Sequence, residues 1–218
     1  MNRRHSALRT GIWMTLLAFP LSAWAVESPL ETVRTTIERA TLVLQNPAYQ
    51  GREHLSMRVQ KVREVVEPQF DVQEIARRTL GTYWQQRTEA ERKEFIQLFT
   101  EFVQKTYSGM LDRYTANVEF LYDQERVDDK FAEVDTRIFD PAQNKAFAVT
   151  YKMHRINGKW LVYDVVAENV SMVRNYRNQF SRIINKSSYQ DLLEALQNKI
   201  KELDAPPSST QAHNATAG

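Results

Sequence analysis

The chain has 218 residues, 29 Lys+Arg against 27 Asp+Glu and no cysteine, which excludes a disulfide framework and any cysteine-ligated metal. Its formal charge of +2 rests on Arg3, Arg4 and Arg9; beyond residue 25 the count is 26 to 27, a net −1. A near-neutral chain without a basic block lacks the electrostatic footprint that nucleic-acid binding requires, and that class is set aside.

In chain order, the cationic first ten residues, the apolar run from Gly11 to Leu21 and Ala23-Trp24-Ala25 have the layout of a cleavable export signal over residues 1–25. The run is shorter than the about 20 apolar residues a membrane span needs. The remaining 193 residues suffice for one core without covalent staples, and a single domain is expected over residues 26–203.

Helix starts are legible as capping pairs: Ser28 with Glu31, Asp71 with Glu74, Thr88 with Glu91 and Ser188 with Asp191. They predict helices over about 29–45, 52–66, 72–80, 89–115, 172–185 and 189–203, with Gly81 stopping the third. Between residues 117 and 166 the period becomes two: Val118, Phe120 and Tyr122 alternate with Asn117, Glu119 and Leu121, and Phe147, Val149, Tyr151 and Met153 with Ala148, Thr150, Lys152 and His154. Asn157-Gly158 is a strong type I′ hairpin signal. Four antiparallel strands are predicted, at about 117–126, 130–139, 145–156 and 159–167. The order is α+β: a four-stranded antiparallel sheet with about six helices packed around it. From Asp204 the tail, with Pro206, Pro207 and a run of small polar residues, is expected to be disordered.

Catalytic and metal signatures are sparse. His54, His154 and His213 fall on a helix, a strand and the tail, with no HExxH pair, so neither a metal nor a cofactor is expected. No nucleophile elbow occurs, and Gly51, Gly81, Gly109, Gly158 and Gly218 are too scattered for a phosphate loop. His154 and Asp164 on adjacent strands could form an acid/base pair in a sheet-lined cavity; His154 alternates with Lys152 and Thr150, however, and reads as solvent-facing. The predicted helix 89–115 carries Phe95, Phe99, Phe102, Met110 and Tyr114 on one stripe, expected to face a sheet offering Phe120, Val149, Tyr151, Trp160 and Val162. Periodicity shows which side chains turn inward and not whether the interior is filled, so an ordinary hydrophobic core is the plain reading of that stripe and a lined cavity the alternative.

Two blocks carry a family resemblance. Phe70-Asp71 through Leu80-Gly81-Thr82-Tyr83-Trp84, then Phe95, Phe99 and Lys105-Thr106-Tyr107, form the first; Gly158-Lys159-Trp160-Leu161-Val162-Tyr163-Asp164-Val165 and Val170-Ser171-Met172 through Phe180 form the second. In this order they resemble the MlaC family, also called the toluene-tolerance auxiliary family, of periplasmic phospholipid-binding proteins, over about residues 30–203. Asn169 stands where the family usually has Gly, and Asn tolerates positive φ best among the other residues.

The resemblance implies a soluble monomeric carrier in the periplasm, not an enzyme, that holds lipid tails in an apolar pocket between sheet and helices and maintains outer-membrane lipid asymmetry. It implies as partners a phospholipid, an outer-membrane lipoprotein with a porin, and an inner-membrane ABC transporter with its MCE-domain protein. Carried over to this chain, the pocket candidates are Phe99, Phe102, Tyr107 and Leu111 on the long helix, Val149, Tyr151, Trp160 and Val162 on strands, and Val170 and Met172 beyond them. Arg155, Lys159 and Arg174 are candidates for the head-group phosphate, with a solvated surface charge as the alternative for each. A cone-shaped α+β enzyme and a protein-interaction module with an ordinary core stay open as rival readings.

Overall fold

The computed structural model describes residues 27–113 and 118–205, without the side chains of residues 52 and 109–113. The expected signal, the side chains of Leu111 and Met110, Tyr114, and the tail from residue 206 lie outside the described residues.

The described residues form six α-helices: α1 (Pro29–Gln45), α2 (Leu55–Val66), α3 (Val72–Leu80), α4 (Glu89–Arg113), α5 (Met172–Lys186) and α6 (Tyr189–Asp204). All four capping pairs form. Ser28 Oγ accepts the Glu31 N–H at 3.2 Å, Asp71 Oδ1 that of Glu74 at 2.9 Å, and Ser188 Oγ that of Asp191 at 3.1 Å. At α4 the exchange is reciprocal: Thr88 Oγ1 accepts from the Glu91 N–H, and Glu91 Oε2 accepts from the Thr88 N–H at 2.7 Å. Gly81 ends α3 at φ 58°, a backbone that glycine adopts without strain.

The sheet has five strands rather than four, in the order β1 (Glu119–Asp128), β2 (Phe131–Asp140), β3 (Lys145–Ile156), β4 (Lys159–Ala167) and β5 (Val170–Ser171), each antiparallel to the next. The extra strand is two residues long, too short to show a period, and its hairpin turns on Glu168 and Asn169 at φ 47° and 64° instead of on glycine. Asn157-Gly158 takes φ 49° and 81°, the positive pair of a type I′ turn. Register shifts fall between Tyr122 and Gln124 and between Lys152 and Met153. At the second, Tyr163 is the extra residue of β4.

Two apolar cores result. The helical core joins Ile75, Ala76, Leu80 and Trp84 to Phe95 and Phe99 of α4, Val173, Tyr176 and Phe180 of α5, and Leu192, Leu193 and Leu196 of α6. The aromatic stripe of α4 therefore meets α5 and α6, not the sheet: Phe99 stacks on Phe95 at 5.6 Å and meets Tyr176 and Phe180 edge-on at 5.4 and 5.5 Å. The sheet core packs Val33 of α1, with Leu30 and Ile37 beside it, onto Ala132, Val134, Met153, Trp160 and Val162. Phe70 touches both clusters, and beside it the Asp71 N–H donates to the Val162 carbonyl at 2.9 Å.

Candidate functional site

Alternation assigns the two faces of the sheet. Val127, Ala132, Met153 and Val162 are paired in one row, Val134, Tyr151 and Val165 in the next, then Tyr122, Thr136, Val149 and Ala167, and finally Phe120, Ile138 and Phe147. Helix α1 covers the first two rows through Leu30, Val33 and Ile37. Beyond it, Phe120, Ile138 and Phe147 remain half-buried and belong to neither core, with half-buried Tyr122, Tyr151 and Val165 at the margin of the sheet core. Phe102 and Val103 of α4 and Met172 of α5 are half-buried at the margin of the helical core. The sheet residues form an apolar strip at and beyond the edge of the sheet core, and the two cores meet at Phe70.

Polar groups on this strip are few and neutral. Thr136 Oγ1 donates to the Val149 carbonyl at 3.0 Å. Burial pushes the Tyr151 hydroxyl up to about 12, with the Tyr122 hydroxyl adding to the rise and a hydrogen bond to Thr136 opposing it. In the helical core, burial raises the Tyr176 hydroxyl well above its ordinary value, and its hydrogen bond with Tyr107 adds to the effect. Such groups stay uncharged at neutral pH, which suits an apolar occupant.

The opposite face is charged and committed to itself. Arg126 bridges Glu133 and Asp135, Lys152 reaches Glu133 at 2.7 Å, and Arg137 holds Asp123. His154 is on this face yet only 9% exposed, contrary to a solvent-facing reading, because the head of α3 covers it. Asp164 is buried too, accepting from the Ser171 hydroxyl at 2.6 Å and the Val173 N–H at 3.0 Å. Both candidate acid/base groups thus point away from the strip, each with a partner of its own. Among the described residues, no group of three or more His, Cys, Asp or Glu could hold a metal ion.

The sequence candidates divide by location. Val149 and Tyr151 lie in the rows of the strip, Phe102 and Met172 are half-buried at the margin of the helical core, and Tyr107 lies further along α4, 42% exposed. Phe99 is sealed inside the helical core, Trp160 and Val162 inside the sheet core, and Val170 is 59% exposed on β5. Arg155, Lys159 and Arg174 are exposed. Arg155 is eight residues from Phe147 along β3, roughly 27 Å at about 3.4 Å per residue, at the other end of the sheet. Phe120, Tyr122, Ile138, Phe147 and Val165 complete the strip and were not among the candidates; their period-two spacing marks one face, and only the strand register aligns them across four strands. A separate groove of about 830 Å³ lies between α2 and the start of α3, where Arg63, Glu64 and Glu67 accompany Val59, Pro68, Val72 and the seam residue Phe70.

Comparison with known proteins agrees with this architecture. The sequence profile of the family described as MlaC protein matches residues 34–198. The intermembrane phospholipid transport system binding protein MlaC of Haemophilus influenzae is 22% identical over 195 residues, 85% of this chain and 91% of its own length. The toluene tolerance protein ttg2D of Pseudomonas putida is 24% identical over 185 residues, 84% of this chain and 85% of its own length. A phospholipid-binding protein from Ralstonia solanacearum, solved in complex with a phospholipid, superposes with a TM-score of 0.72 at 22% identity, covering 80% of this chain and 97% of the other.

Proposed function

Since the chain belongs to the MlaC family, we propose that it is a periplasmic phospholipid carrier, moving lipid between an outer-membrane lipoprotein–porin complex and an inner-membrane ABC transporter with its MCE-domain protein, and so maintaining outer-membrane lipid asymmetry. The observation that carries this reading is the strip of half-buried apolar side chains on the sheet, at and beyond the edge of its core. The described helices include none long and apolar enough to cross a membrane, in keeping with a carrier that leaves the bilayer.

The physical demand on such a carrier is steep. At about 0.8 kcal/mol per methylene, a two-tailed lipid with some 28 methylenes loses roughly 20 kcal/mol on entering water unprotected. The pocket must return nearly all of that, so that membrane, pocket and partner are close in free energy and a docked partner decides the direction. Tails need no hydrogen bonds, and the neutral, aromatic and aliphatic strip provides none that compete. In this reading Phe102, Val149, Tyr151 and Met172 line the pocket together with Phe120, Ile138, Phe147 and Val165, and α4 and α1 flank its mouth.

The test is gentle purification after export, solvent extraction and mass spectrometry of the extract, followed by uptake from labelled vesicles. Phospholipid in near-stoichiometric amount is expected. Protein that is repeatedly lipid-free and takes nothing from vesicles sinks the reading.

A further inference from the structure

Where α1 borders the apolar strip, it presents charge. Arg34 stacks its guanidinium 4.9 Å from the centre of the Tyr122 ring, on the strip side of the helix. Its Nε is buried and has no hydrogen-bond partner among the described residues. Its Nη1 makes a 3.5 Å ion pair with Glu31, whose side chain is half exposed; a pair of that length and exposure is weak and yields readily to a better acceptor. Glu38 follows one turn after Arg34 as Glu31 precedes it by one, which puts all three on one side of the helix. Glu38, Arg34 and Glu31 all act on the Tyr122 hydroxyl, the two acids raising its proton affinity and the arginine lowering it after the larger effect of burial. The neighbouring Glu125 is occupied, its carboxylate accepting the Leu30 N–H at 2.7 Å.

From this arrangement we infer that the rim of the pocket selects a zwitterionic, amine-bearing phospholipid head group, with Arg34 holding the phosphate and Glu31 and Glu38 receiving the ammonium. The inference rests on the carrier reading above and adds head-group choice to it. Guanidinium is a planar fork matched to phosphate oxygens, and its aromatic platform fixes its plane. In a phosphoethanolamine head the two charges are two carbons apart, within the reach of one helical turn, about 5.4 Å. An anionic head such as phosphoglycerol offers the same phosphate to Arg34 but nothing to the two carboxylates, whose repulsion of it is then uncompensated. The tails enter the strip, and Tyr122 lies where apolar tails give way to the charged head.

The protein, stripped of lipid, is equilibrated with vesicles of equal phosphatidylethanolamine and phosphatidylglycerol, repurified, and its bound lipid counted by head group. Enrichment of phosphatidylethanolamine by about threefold is expected, the scale set by exposed ion pairs. Arg34→Gln removes the phosphate anchor that both heads share and leaves the two carboxylates in place, so the ratio does not fall, and total lipid per protein stays near one load because the tails are unaffected. The double variant Glu31→Lys with Glu38→Lys turns the preference toward phosphatidylglycerol. A wild-type ratio equal to that of the vesicles, a preference lost in Arg34→Gln, or a preference unchanged in the double variant overturns the inference while leaving the carrier reading intact. Absence of lipid from the wild type defeats the carrier reading itself.

Discussion

His154 Nε2 lies 3.0 Å from Asp71 Oδ2, while Oδ1 of the same carboxylate caps α3. One side chain therefore both starts a helix and ties it to β3, beside the Phe70–Val162 bridge to β4. This is the junction where the two cores meet.

Asp71→Ala is predicted to cost about 2 kcal/mol, roughly half from the lost cap and half from the lost contact with His154. His154→Ala removes the contact alone. A double-mutant cycle by urea unfolding is expected to give a coupling of about 1 kcal/mol between them. Strictly additive losses would show that the contact holds nothing together.

Asp164 organises the opposite corner. It accepts from the Ser171 hydroxyl and the Val173 N–H, and Ser171 Oγ in turn accepts the Arg174 N–H at 3.0 Å. Asp164→Ala strands buried donors and is expected to lower stability by about 2–3 kcal/mol; Ser171→Ala, which removes one cap, by about 1 kcal/mol. Equal losses in the two variants would mean that the buried carboxylate adds nothing to the cap.

Local chemistry made much of the fold readable. Ser28, Asp71, Thr88 and Ser188 announce helices because a cap oxygen and the N–H that donates to it lie three residues apart, and Asn157-Gly158 announces a hairpin because both residues accept positive φ. Long-range choices leave no such mark. The α4 stripe of Phe95 and Phe99 shows one apolar face but not its partner, and it selected α5 and α6 over the sheet. His154 has the alternation of an exposed residue and is covered by an element eighty-three positions away. The site is harder still: Phe147 and Phe99 are both aromatic, yet Phe147 is half-buried outside both cores and Phe99 fills one.

That difference is testable. Phe99 is 1% exposed among aromatic neighbours, so Phe99→Ala leaves a cavity and should cost about 3–5 kcal/mol. Phe147, half-buried and outside both cores, should cost only about 1 kcal/mol on the same truncation. Phospholipid uptake from vesicles is expected to fall more in Phe147→Ala than in a core variant that remains folded. If uptake by Phe147→Ala equals that of the wild type, the strip is not where tails lie.

The charged face of the sheet predicts an acid response. Glu133 is held below the ordinary 4.5 by Arg126 first and Lys152 second. For Asp135 burial is the largest single effect and pushes upward, but hydrogen bonds from Arg126, Thr150 and Gln124 together outweigh it and leave the carboxyl below the ordinary 3.8. A carboxyl depressed in the folded state contributes stability that is fully present above its unfolded value and is lost as pH falls through the folded one. The window therefore opens near pH 4.5 and runs downward. Both acids are partly exposed and screened, so the effect is modest. The urea midpoint should hold steady from neutral pH down to about pH 5 and drop below it. Arg126→Ala removes the cation common to both acids and should shallow that drop by lowering stability modestly at neutral pH, where the contribution is fully present, while little changes once both acids are protonated. A variant that loses stability on acidification as steeply as the wild type would show that the Arg126 network does not set the acid limb.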